Sequence, residues 1–311
     1  MTKRRTMLAM TGGSRRPWLL MVATILLLLA TACGGSGSGS GKSKVIVGSK
    51  DFTENILVSE MNALLLEDAG YPVERKLNLG GTAVVHQALV SGDINTYTEY
   101  TGTGLTAILK LPVQTDPQQV YTTVKGAYEK QFKATWLNPL GFNNTYALTM
   151  RKDQATQLGV KTISDLKGKS DSLTFGATQE FLTRPDGMPG LTKAYDLKFK
   201  DPKGMDAGLT YQALASKQVD VISAFATDGR IPALNLVILQ DDLHFFPPYF
   251  AASVVRQDLL SKDPKVGDVL NKLGGKINDQ TMAGLNLQVD QDKKEPRDVA
   301  RAFLKQQGLI K

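Results

Sequence analysis

The sequence predicts an α/β protein with two lobes, and three observations support this prediction. The first part of the chain alternates short apolar runs with amphipathic stretches in the order β-α-β-α-β, the pattern of an open sheet. The same alternation restarts after about residue 150. A helical tail follows from residue 257 and is expected to return to the first lobe. Because open α/β sheets bind ligands beyond the carboxyl ends of their strands, we expect a cleft between the lobes to be the functional site.

The first lobe is predicted from hydrophobic periodicity and from helix-end signals. Gly92 follows a helical run and is expected to end it in the left-handed conformation. Asp116-Pro117 is typical of a helix start, with a cap residue followed by proline. The predicted elements are strand Val45–Gly48, a helix with Ile56, Leu57, Met61, Leu64 and Leu65 on one side, strand Val73–Leu79, a helix ending at Gly92, strand Ile94–Tyr100, and a helix from Asp116 to about Phe132.

A break in the chain is predicted at Asn138-Pro139, before the crossing into the second lobe. The crossings between lobes are expected near residues 145–150 and 246–252. The predicted elements are strand Thr145–Met150, helix Asp153–Leu158, strand Leu173–Ala177, a loop Arg184–Gly190, helix Leu209–Lys217, strands Val219–Ala224, Leu236–Leu239 and Ala251–Val255, and tail helices including Pro264–Leu273 and Pro296–Gln307.

The composition is that of an ordinary globular protein and excludes some functions. The chain has 311 residues, of which 42% are hydrophobic and 22% charged. The first 32 residues contain five basic and no acidic residues, so most of the net charge of +7 belongs to them. The remaining 32 basic and 30 acidic residues nearly balance, so we expect no nucleic-acid partner.

Cysteine and histidine are too scarce for several kinds of site. Cys33 is the only cysteine, and His86 and His244 are the only histidines. This excludes an internal disulfide and a Cys- or His-cluster metal site, and we predict neither a metal nor a cofactor. A G-x-S-x-G motif is also missing, and nucleophile–base pairs are scarce, so we predict no catalytic residues.

The N-terminal segment is predicted to be a targeting segment. A basic start precedes the apolar run Trp18–Ala30, whose 13 residues are too few for an ordinary membrane span. The small residues before Cys33 resemble a lipobox, although Ala30 stands where leucine is favoured. We predict a lipoprotein signal and lipobox in residues 1–33, lipid attachment at Cys33, and a flexible Gly/Ser tether in residues 34–43. An ordinary secretory signal or an uncleaved anchor are the alternatives.

The stretch from Gly92 to Gly104 indicates a ligand site. A Thr- and Tyr-rich strand runs into a Gly/Thr turn at the start of a helix, where backbone amides favour an anion. Tyr97 and Tyr100 precede the turn and could offer their rings to a cation; the alternative is that they only pack a sheet edge. Residues 102–107 also fit the dinucleotide pattern G-x-G-x-x-A, but the expected acidic residue after a second strand is missing.

Nine short blocks occur in an order that resembles a known family. Together they resemble the substrate-binding proteins of bacterial ABC importers for glycine betaine, carnitine, choline and related osmoprotectants, over residues 44–311. The blocks are Val47-Gly-Ser-Lys-Asp-Phe-Thr-Glu-Asn55, Leu79-Gly-Gly-Thr82, Gly92-Asp-Ile, Glu99-Tyr-Thr-Gly-Thr-Gly104, Leu140-Gly-Phe-Asn-Asn-Thr-Tyr146-Ala, Phe175-Gly-Ala-Thr, Gly204-Met-Asp206, Ala226-Thr-Asp-Gly229 and Phe246-Pro-Pro-Tyr249.

The resemblance implies a fold, a function and partners. It implies a two-lobed periplasmic-binding-protein fold with a central interlobe cleft, with lobe 1 in residues 44–147 plus 251–311 and lobe 2 in residues 148–250. The implied function is non-catalytic capture of a quaternary ammonium osmoprotectant at the extracytoplasmic face of the membrane. The implied partners are an ABC permease and ATPase, with the protein a lipid-anchored monomer. Binding of another small zwitterion such as an amino acid, or an enzyme on the same scaffold, are the alternatives.

The resemblance also implies which residues bind the ligand. By block, the aromatic cage for the trimethylammonium group falls on Tyr100, Tyr146, Phe225 and Tyr249. A quaternary ammonium has no N–H to donate, so aromatic faces are the physically suitable partner. Phe225 departs from the usual tyrosine, and plain packing is its alternative role.

The carboxylate end of the ligand is implied to contact Lys50, Thr103 and Arg184. Lys50 and Arg184 bring two positive charges, with no carboxylate among the inferred contacts. This balance favours glycine betaine or carnitine over choline. The alternatives are that Arg184 forms a surface ion pair with Asp186 or Glu180, and that Asp51 reverses the charge balance.

Overall fold

The computed structural model describes residues 42–311, which form two five-stranded sheets with helices. The predicted α/β class is therefore confirmed. The predicted signal segment 1–33, Cys33 and all but the last two residues of the predicted tether lie outside the described residues. The strands, in chain order, are β1 (Val45–Gly48), β2 (Val73–Lys76), β3 (Thr96–Tyr100), β4 (Ala134–Asn143), β5 (Tyr146–Arg151), β6 (Thr174–Ala177), β7 (Lys200–Gly204), β8 (Val221–Phe225), β9 (Leu236–Ile238) and β10 (Phe250–Arg256).

The helices in the described part of the chain are mostly short. Three single turns of 3₁₀ helix, at Ser164–Leu166, Ser170–Ser172 and Asn271–Leu273, supplement them. The α-helices, in chain order, are α1 (Thr53–Asp68), α2 (Thr82–Ser91), α3 (Thr101–Thr103), α4 (Pro117–Gln131), α5 (Lys152–Leu158), α6 (Gln179–Thr183), α7 (Met188–Tyr195), α8 (Ala207–Ala215), α9 (Arg230–Ala233), α10 (Gln257–Lys262), α11 (Lys265–Leu270), α12 (Asp279–Asp290) and α13 (Pro296–Gln306).

Both sheets combine parallel strands with antiparallel partners. Sheet 1 has the order β2-β1-β3-β10-β4, and sheet 2 has the order β7-β6-β8-β5-β9. In sheet 1, β1 is parallel to β2 and β3, whereas β10 is antiparallel to β3 and β4. In sheet 2, β6 is parallel to β7 and β8, whereas β5 is antiparallel to β8 and β9. The parallel strands of each sheet therefore end on a common rim.

The chain passes between the sheets twice within residues 42–311. It leaves sheet 1 between β4 and β5 through Asn144 and Thr145, and it returns from β9 to β10 through residues 239–249. We call the part built on sheet 1 the first lobe and the part built on sheet 2 the second lobe. The tail returns to the first lobe, where α13 and α12 pack against α1.

Two helix ends follow the predicted local chemistry. Gly92 has φ 89° and lies directly after α2, as expected for a glycine that ends a helix. The Asp116 side chain accepts a hydrogen bond of 2.7 Å from the backbone N–H of Gln119 at the start of α4.

Strand β4 differs most from the sequence-based expectation. Asn138-Pro139 was predicted to break the chain, yet both residues lie inside the ten-residue strand Ala134–Asn143. The strand forms the edge of sheet 1, and its pairing with β10 shifts register on both sides of the Pro139–Ala252 pair. Proline is tolerated at such a place because an edge strand with a bulge does not need every N–H for its ladder.

Strand β7 and helix α7 are among the elements that the sequence analysis did not predict. Strand β7 (Lys200–Gly204) adds an exposed edge to sheet 2. Helix α7 begins at Met188, inside the predicted loop, with Pro189 in its first turn. Proline at that position costs no hydrogen bond, so residues that predict a loop can also form the first turn of a helix.

Within residues 42–311, no helix combines the length and the apolar composition needed to cross a bilayer.

Candidate functional site

A cavity of about 810 Å³ is lined by residues of both lobes. The structure places all of the residues predicted to bind the ligand on its wall, while their contact with a ligand stays a prediction. These residues are Lys50, Tyr100, Thr103, Tyr146, Arg184, Phe225 and Tyr249.

Strand ends bring several of these side chains together. Lys50 follows the end of β1 after one intervening residue, and Tyr100 is the last residue of the neighbouring parallel strand β3. Phe225 is the last residue of β8, and it pairs directly with Tyr146, the first residue of the antiparallel strand β5. The carboxyl ends of parallel strands meet at one rim, so each lobe presents its residues to the cavity there.

Five aromatic rings form a continuous row along the cavity. The ring centroids of Tyr249 and Tyr146 are 5.5 Å apart, and those of Tyr146 and Phe225 are 5.4 Å apart. Phe52 stacks on Phe225 at 5.2 Å and lies 6.0 Å from Tyr100. These spacings are those of favourable aromatic pairs. The row is an electron-rich wall built from both lobes and from the crossing segment before β10.

Phe52 is a cavity residue that the sequence reasoning missed. It lies between β1 and α1 and links the rings of the two lobes. Its position four residues after the end of β1, in the same block as Lys50, was a signal that could have identified it.

The Gly/Thr turn after Tyr100 has a packing role that the sequence did not indicate. The chain forms only the three-residue helix α3 there, followed by a π-helical turn at Gly104–Ile108. A Cβ atom at Gly102 would lie 2.7 Å from the ring of Tyr249, so the absence of a side chain lets that ring reach the cavity wall. The Thr103 hydroxyl accepts hydrogen bonds from Arg184, so the structure gives no support to a free anion site at this turn.

The tyrosines of the row differ in what holds their hydroxyl groups. Tyr100 donates to Glu54 Oε1 at 2.9 Å, and Tyr249 donates to Asp186 Oδ2 at 2.6 Å. The Tyr146 hydroxyl makes no hydrogen bond to any of residues 42–311. Burial raises the pKa of Tyr146 well above its usual value, so its ring stays neutral.

Lys50 is buried in an ion pair. Its Nζ donates to Glu99 Oε1 at 2.6 Å and to Thr82 Oγ1 at 2.9 Å, and the residue is only 3% exposed. A buried ammonium group needs such partners because its desolvation is costly. The ion pair crosses the neighbouring strands β1 and β3, which explains why two residues 49 positions apart meet.

Arg184 is also buried, at 5% exposure, and is more fully paired. Its Nε donates to Asp186 Oδ1 at 2.9 Å, and its Nη2 donates to Asp186 Oδ2. Its Nη1 donates to Glu180 Oε1 at 2.8 Å, and both Nη atoms lie 3.3 Å from Thr103 Oγ1. All donor groups of the guanidinium therefore have partners inside the protein.

The predicted charge balance of the site was wrong. Glu99 and Asp186 neutralise the two buried cations, and Glu180 lies on the cavity wall beside Arg184. The ion pairs of Arg184 with Asp186 and Glu180 do form, but they are buried rather than on the surface. The cavity therefore does not present two free positive charges, and the charge balance no longer supports the prediction of a betaine over choline.

Glu54 is a second residue that sequence reasoning missed. Its buried carboxylate accepts hydrogen bonds from Tyr100 (2.9 Å), Asn144 (2.7 Å), Thr227 (2.5 Å) and Asn286 (3.1 Å). Burial raises the pKa of Glu54, the four hydrogen bonds lower it only in part, and the resulting pKa is about 7. Glu54 therefore ties a ring of the cavity to the crossing segment and to the second lobe.

Among residues 42–311, no three His, Cys, Asp or Glu side chains are grouped so that they could hold a metal ion.

Comparison with known proteins places the chain among transport proteins. The family model described as "Substrate binding domain of ABC-type glycine betaine transport system" matches residues 43–306. The chain is 39% identical, over 86% of its length and 88% of the relative's, to the carnitine transport binding protein OpuCC of Listeria monocytogenes. It is 35% identical to a solved structure titled as a glycine betaine/carnitine/choline ABC transporter, with a TM-score of 0.71 over 86% of this chain and 100% of that one.

A longer relative comes from Helicobacter pylori (strain G27). It is named ergothioneine transport permease/ergothioneine binding protein EgtU, and it is 39% identical over 95% of this chain. The chain spans about half of this relative's length, 53%.

The raised pKa of Glu54 predicts a pH-dependent stability. Between its unfolded value near 4.5 and its folded value near 7, the folded state binds the extra proton. The stabilisation is therefore present at low pH and is lost as the pH rises to about 7, by about 3 kcal/mol in the free energy of unfolding. Glu54→Gln cannot titrate, so its stability relative to the unchanged protein is expected to improve steadily across this window.

The measurement is urea unfolding at a series of pH values. Glu129→Gln is the control, because Glu129 lies on α4 and is not part of the cavity wall. The stability difference between Glu54→Gln and the unchanged protein is expected to change with pH more than that of the control. Equal changes in the two variants would show that the buried carboxylate does not titrate in this window.

Proposed function

Because the chain belongs to the family of substrate-binding domains of ABC-type glycine betaine transport systems, we propose that it captures a quaternary ammonium compound outside the cytoplasm and delivers it to an ABC permease. Its Listeria relative is named for carnitine transport, and its Helicobacter relative for ergothioneine transport. Glycine betaine, carnitine and ergothioneine share a trimethylammonium group, so that group is the common chemistry to be recognised. In this proposal the protein binds and releases its ligand without changing it.

The row of five rings is the observation that supports this proposal most directly. A trimethylammonium group has no N–H to donate, so hydrogen bonds cannot select it. Aromatic faces attract it with about 0.5–2 kcal/mol each. Because rings from both lobes belong to the row, a cation lying against several of them would hold the two lobes together.

We propose distinct roles for the two ends of the cavity. Tyr100, Tyr146, Phe225 and Tyr249 hold the ammonium group, and Phe52 completes their row. The other end of the ligand lies near Lys50, Thr103 and Arg184, which are cavity residues with buried partners.

The remaining organisation is part of the same proposal. The sequence-based bounds are residues 44–147 and 251–311 for lobe 1 and residues 148–250 for lobe 2. We assign Tyr146 and Ala147 to the second lobe with the rest of β5, and Phe250 to the first lobe with the rest of β10. Residues 1–33 direct export and end in a lipidated Cys33, and the Gly/Ser segment 34–43 tethers a monomer to the extracytoplasmic face of the membrane. The importer then includes an ATPase as well as the permease.

The ligand class can be tested by titration of the purified protein. The panel is glycine betaine, carnitine, choline, proline betaine, ergothioneine and glycine, followed by melting temperature and intrinsic fluorescence. We expect at least one methylated ammonium compound to raise the melting temperature and glycine to have no effect, because glycine has an N–H-bearing ammonium that the rings do not select.

Glycine is the decisive member of this panel. The cavity wall also contains the carboxylates of Asp51, Glu180 and Asp206, which could accept hydrogen bonds from an amino acid. If glycine binds as tightly as glycine betaine, the protein is an amino-acid receptor and the rings do not select the ligand.

Tyr146 offers the sharpest test of the aromatic wall. We expect Tyr146→Ala to weaken binding of the best ligand of the panel by about 5- to 30-fold, the loss of one cation–π contact of about 1–2 kcal/mol. Tyr146→Phe should bind within about threefold of the unchanged protein, because the hydroxyl has no hydrogen-bond partner to lose among residues 42–311. Dissociation constants from calorimetry measure both effects, and equal losses in the two variants would contradict the role of the ring face.

A further inference from the structure

Glu180 reaches across the cleft to the start of a helix of the other lobe. It belongs to α6 in the second lobe, whereas Thr82 is the first residue of α2 in the first lobe. Glu180 Oε2 accepts from the Thr82 backbone N–H at 3.1 Å, and Oε1 accepts from the Thr82 hydroxyl at 2.6 Å. The first N–H groups of a helix have no partner within it and favour a negative charge, so this carboxylate occupies an electrostatically favourable place.

Two cations complete the surroundings of this carboxylate. Arg184 Nη1 donates to Glu180 Oε1 at 2.8 Å, and Lys50 donates to the same Thr82 hydroxyl at 2.9 Å. Burial by itself raises the pKa of Glu180, but Lys50, Arg184 and the Thr82 bonds outweigh burial and lower the pKa to about 2. Glu180 is therefore negatively charged at neutral pH.

The position that Glu180 fills on the cavity wall is suited to an anion. Two basic side chains and a helix start converge there, and the Glu180 side chain remains 31% exposed. A ligand carboxylate entering this end would meet a like charge already holding the same donors. Two carboxylates that share one set of donors repel each other.

We propose that Glu180 is a specificity-determining residue. It lowers the affinity for quaternary ammonium compounds that carry a carboxylate at the other end, compared with those whose other end is uncharged. The inference rests on the proposed function and names its substrate preference. A neutral hydroxyl at that end can donate to the Glu180 carboxylate, whereas a carboxylate must displace it.

The test compares two ligands that differ at this end. Choline ends in a hydroxyl and glycine betaine ends in a carboxylate, and both have the same trimethylammonium group. The dissociation constants of both are measured by calorimetry on the unchanged protein, on Glu180→Gln and on Glu180→Ala. Using the ratio of the two constants cancels any effect of the lost interlobe contact on closure, because closure affects both ligands equally.

We expect the ratio to shift toward glycine betaine by at least about tenfold in both variants. The larger shift is expected for alanine, which leaves the Thr82 backbone N–H, the Thr82 hydroxyl and Arg184 Nη1 without the Glu180 carboxylate. Asp206→Asn is the matched control. Asp206 lines the same cavity and its side chain caps no N–H of α8, so removing its charge tests a general electrostatic effect. We expect this control to change the ratio by less than about threefold.

Three outcomes would overturn the inference. The ratio can stay unchanged in both Glu180 variants, or it can shift equally in Asp206→Asn. A folded Glu180 variant can also lose both ligands to the same extent, which would make the residue an interlobe contact only. Failure of the proposed function gives a different result, because the unchanged protein would then bind no methylated ammonium compound of the titration panel.

Discussion

The burial of two cations next to an aromatic wall is the constraint on which the site depends. Arg184 lies 5.4 Å from the ring centre of Tyr146, and Lys50 lies 5.5 Å from that of Tyr100. An unpaired cation at such a distance would repel a ligand ammonium group approaching the same rings. Asp186 and Glu99, which are fully buried, neutralise the two side chains, so the rings remain available to a ligand cation.

A second set of buried polar groups connects the two lobes. Glu54 of the first lobe accepts a hydrogen bond from Thr227 of the second, and the Arg230–Asp290 ion pair at 3.3 Å crosses in the same region. Glu54 also holds the hydroxyl of Tyr100, so the orientation of a cavity ring and the contact between the lobes depend on one carboxylate. A change at the cleft can therefore reach the crossing segments through direct hydrogen bonds rather than through long-range rearrangement.

The sequence predicted cavity residues best where they lie at the ends of strands. Lys50 and Tyr100 each lie at the end of a predicted strand, and side chains at such ends meet at one rim whatever the details of the loops. Phe225 was implied by the family resemblance instead. The pairing of Lys50 with Glu99 could not be predicted in the same way, because it requires knowing that β1 and β3 are neighbours. Glu54 looked like an ordinary acidic residue in the first turn of a helix, where a negative charge is favourable in itself.

Strand β4 marks a second limit, since an Asn-Pro pair predicts a break unless its place at a bulged sheet edge is known.

Contacts within the protein and contacts to the ligand both favour closure of the cleft. Any movement that separates the lobes breaks the bonds from Thr82 to Glu180 and from Arg184 to Thr103, so these contacts favour the closed arrangement by themselves. A ligand shifts the balance further only by the difference between its affinities for the closed and open forms. Tyr100 of one lobe and Tyr146 of the other line the same cavity. A cation touching both rings has that difference, because separating the lobes would move the rings apart. Recognition of the ammonium group and closure of the lobes are then the same physical event.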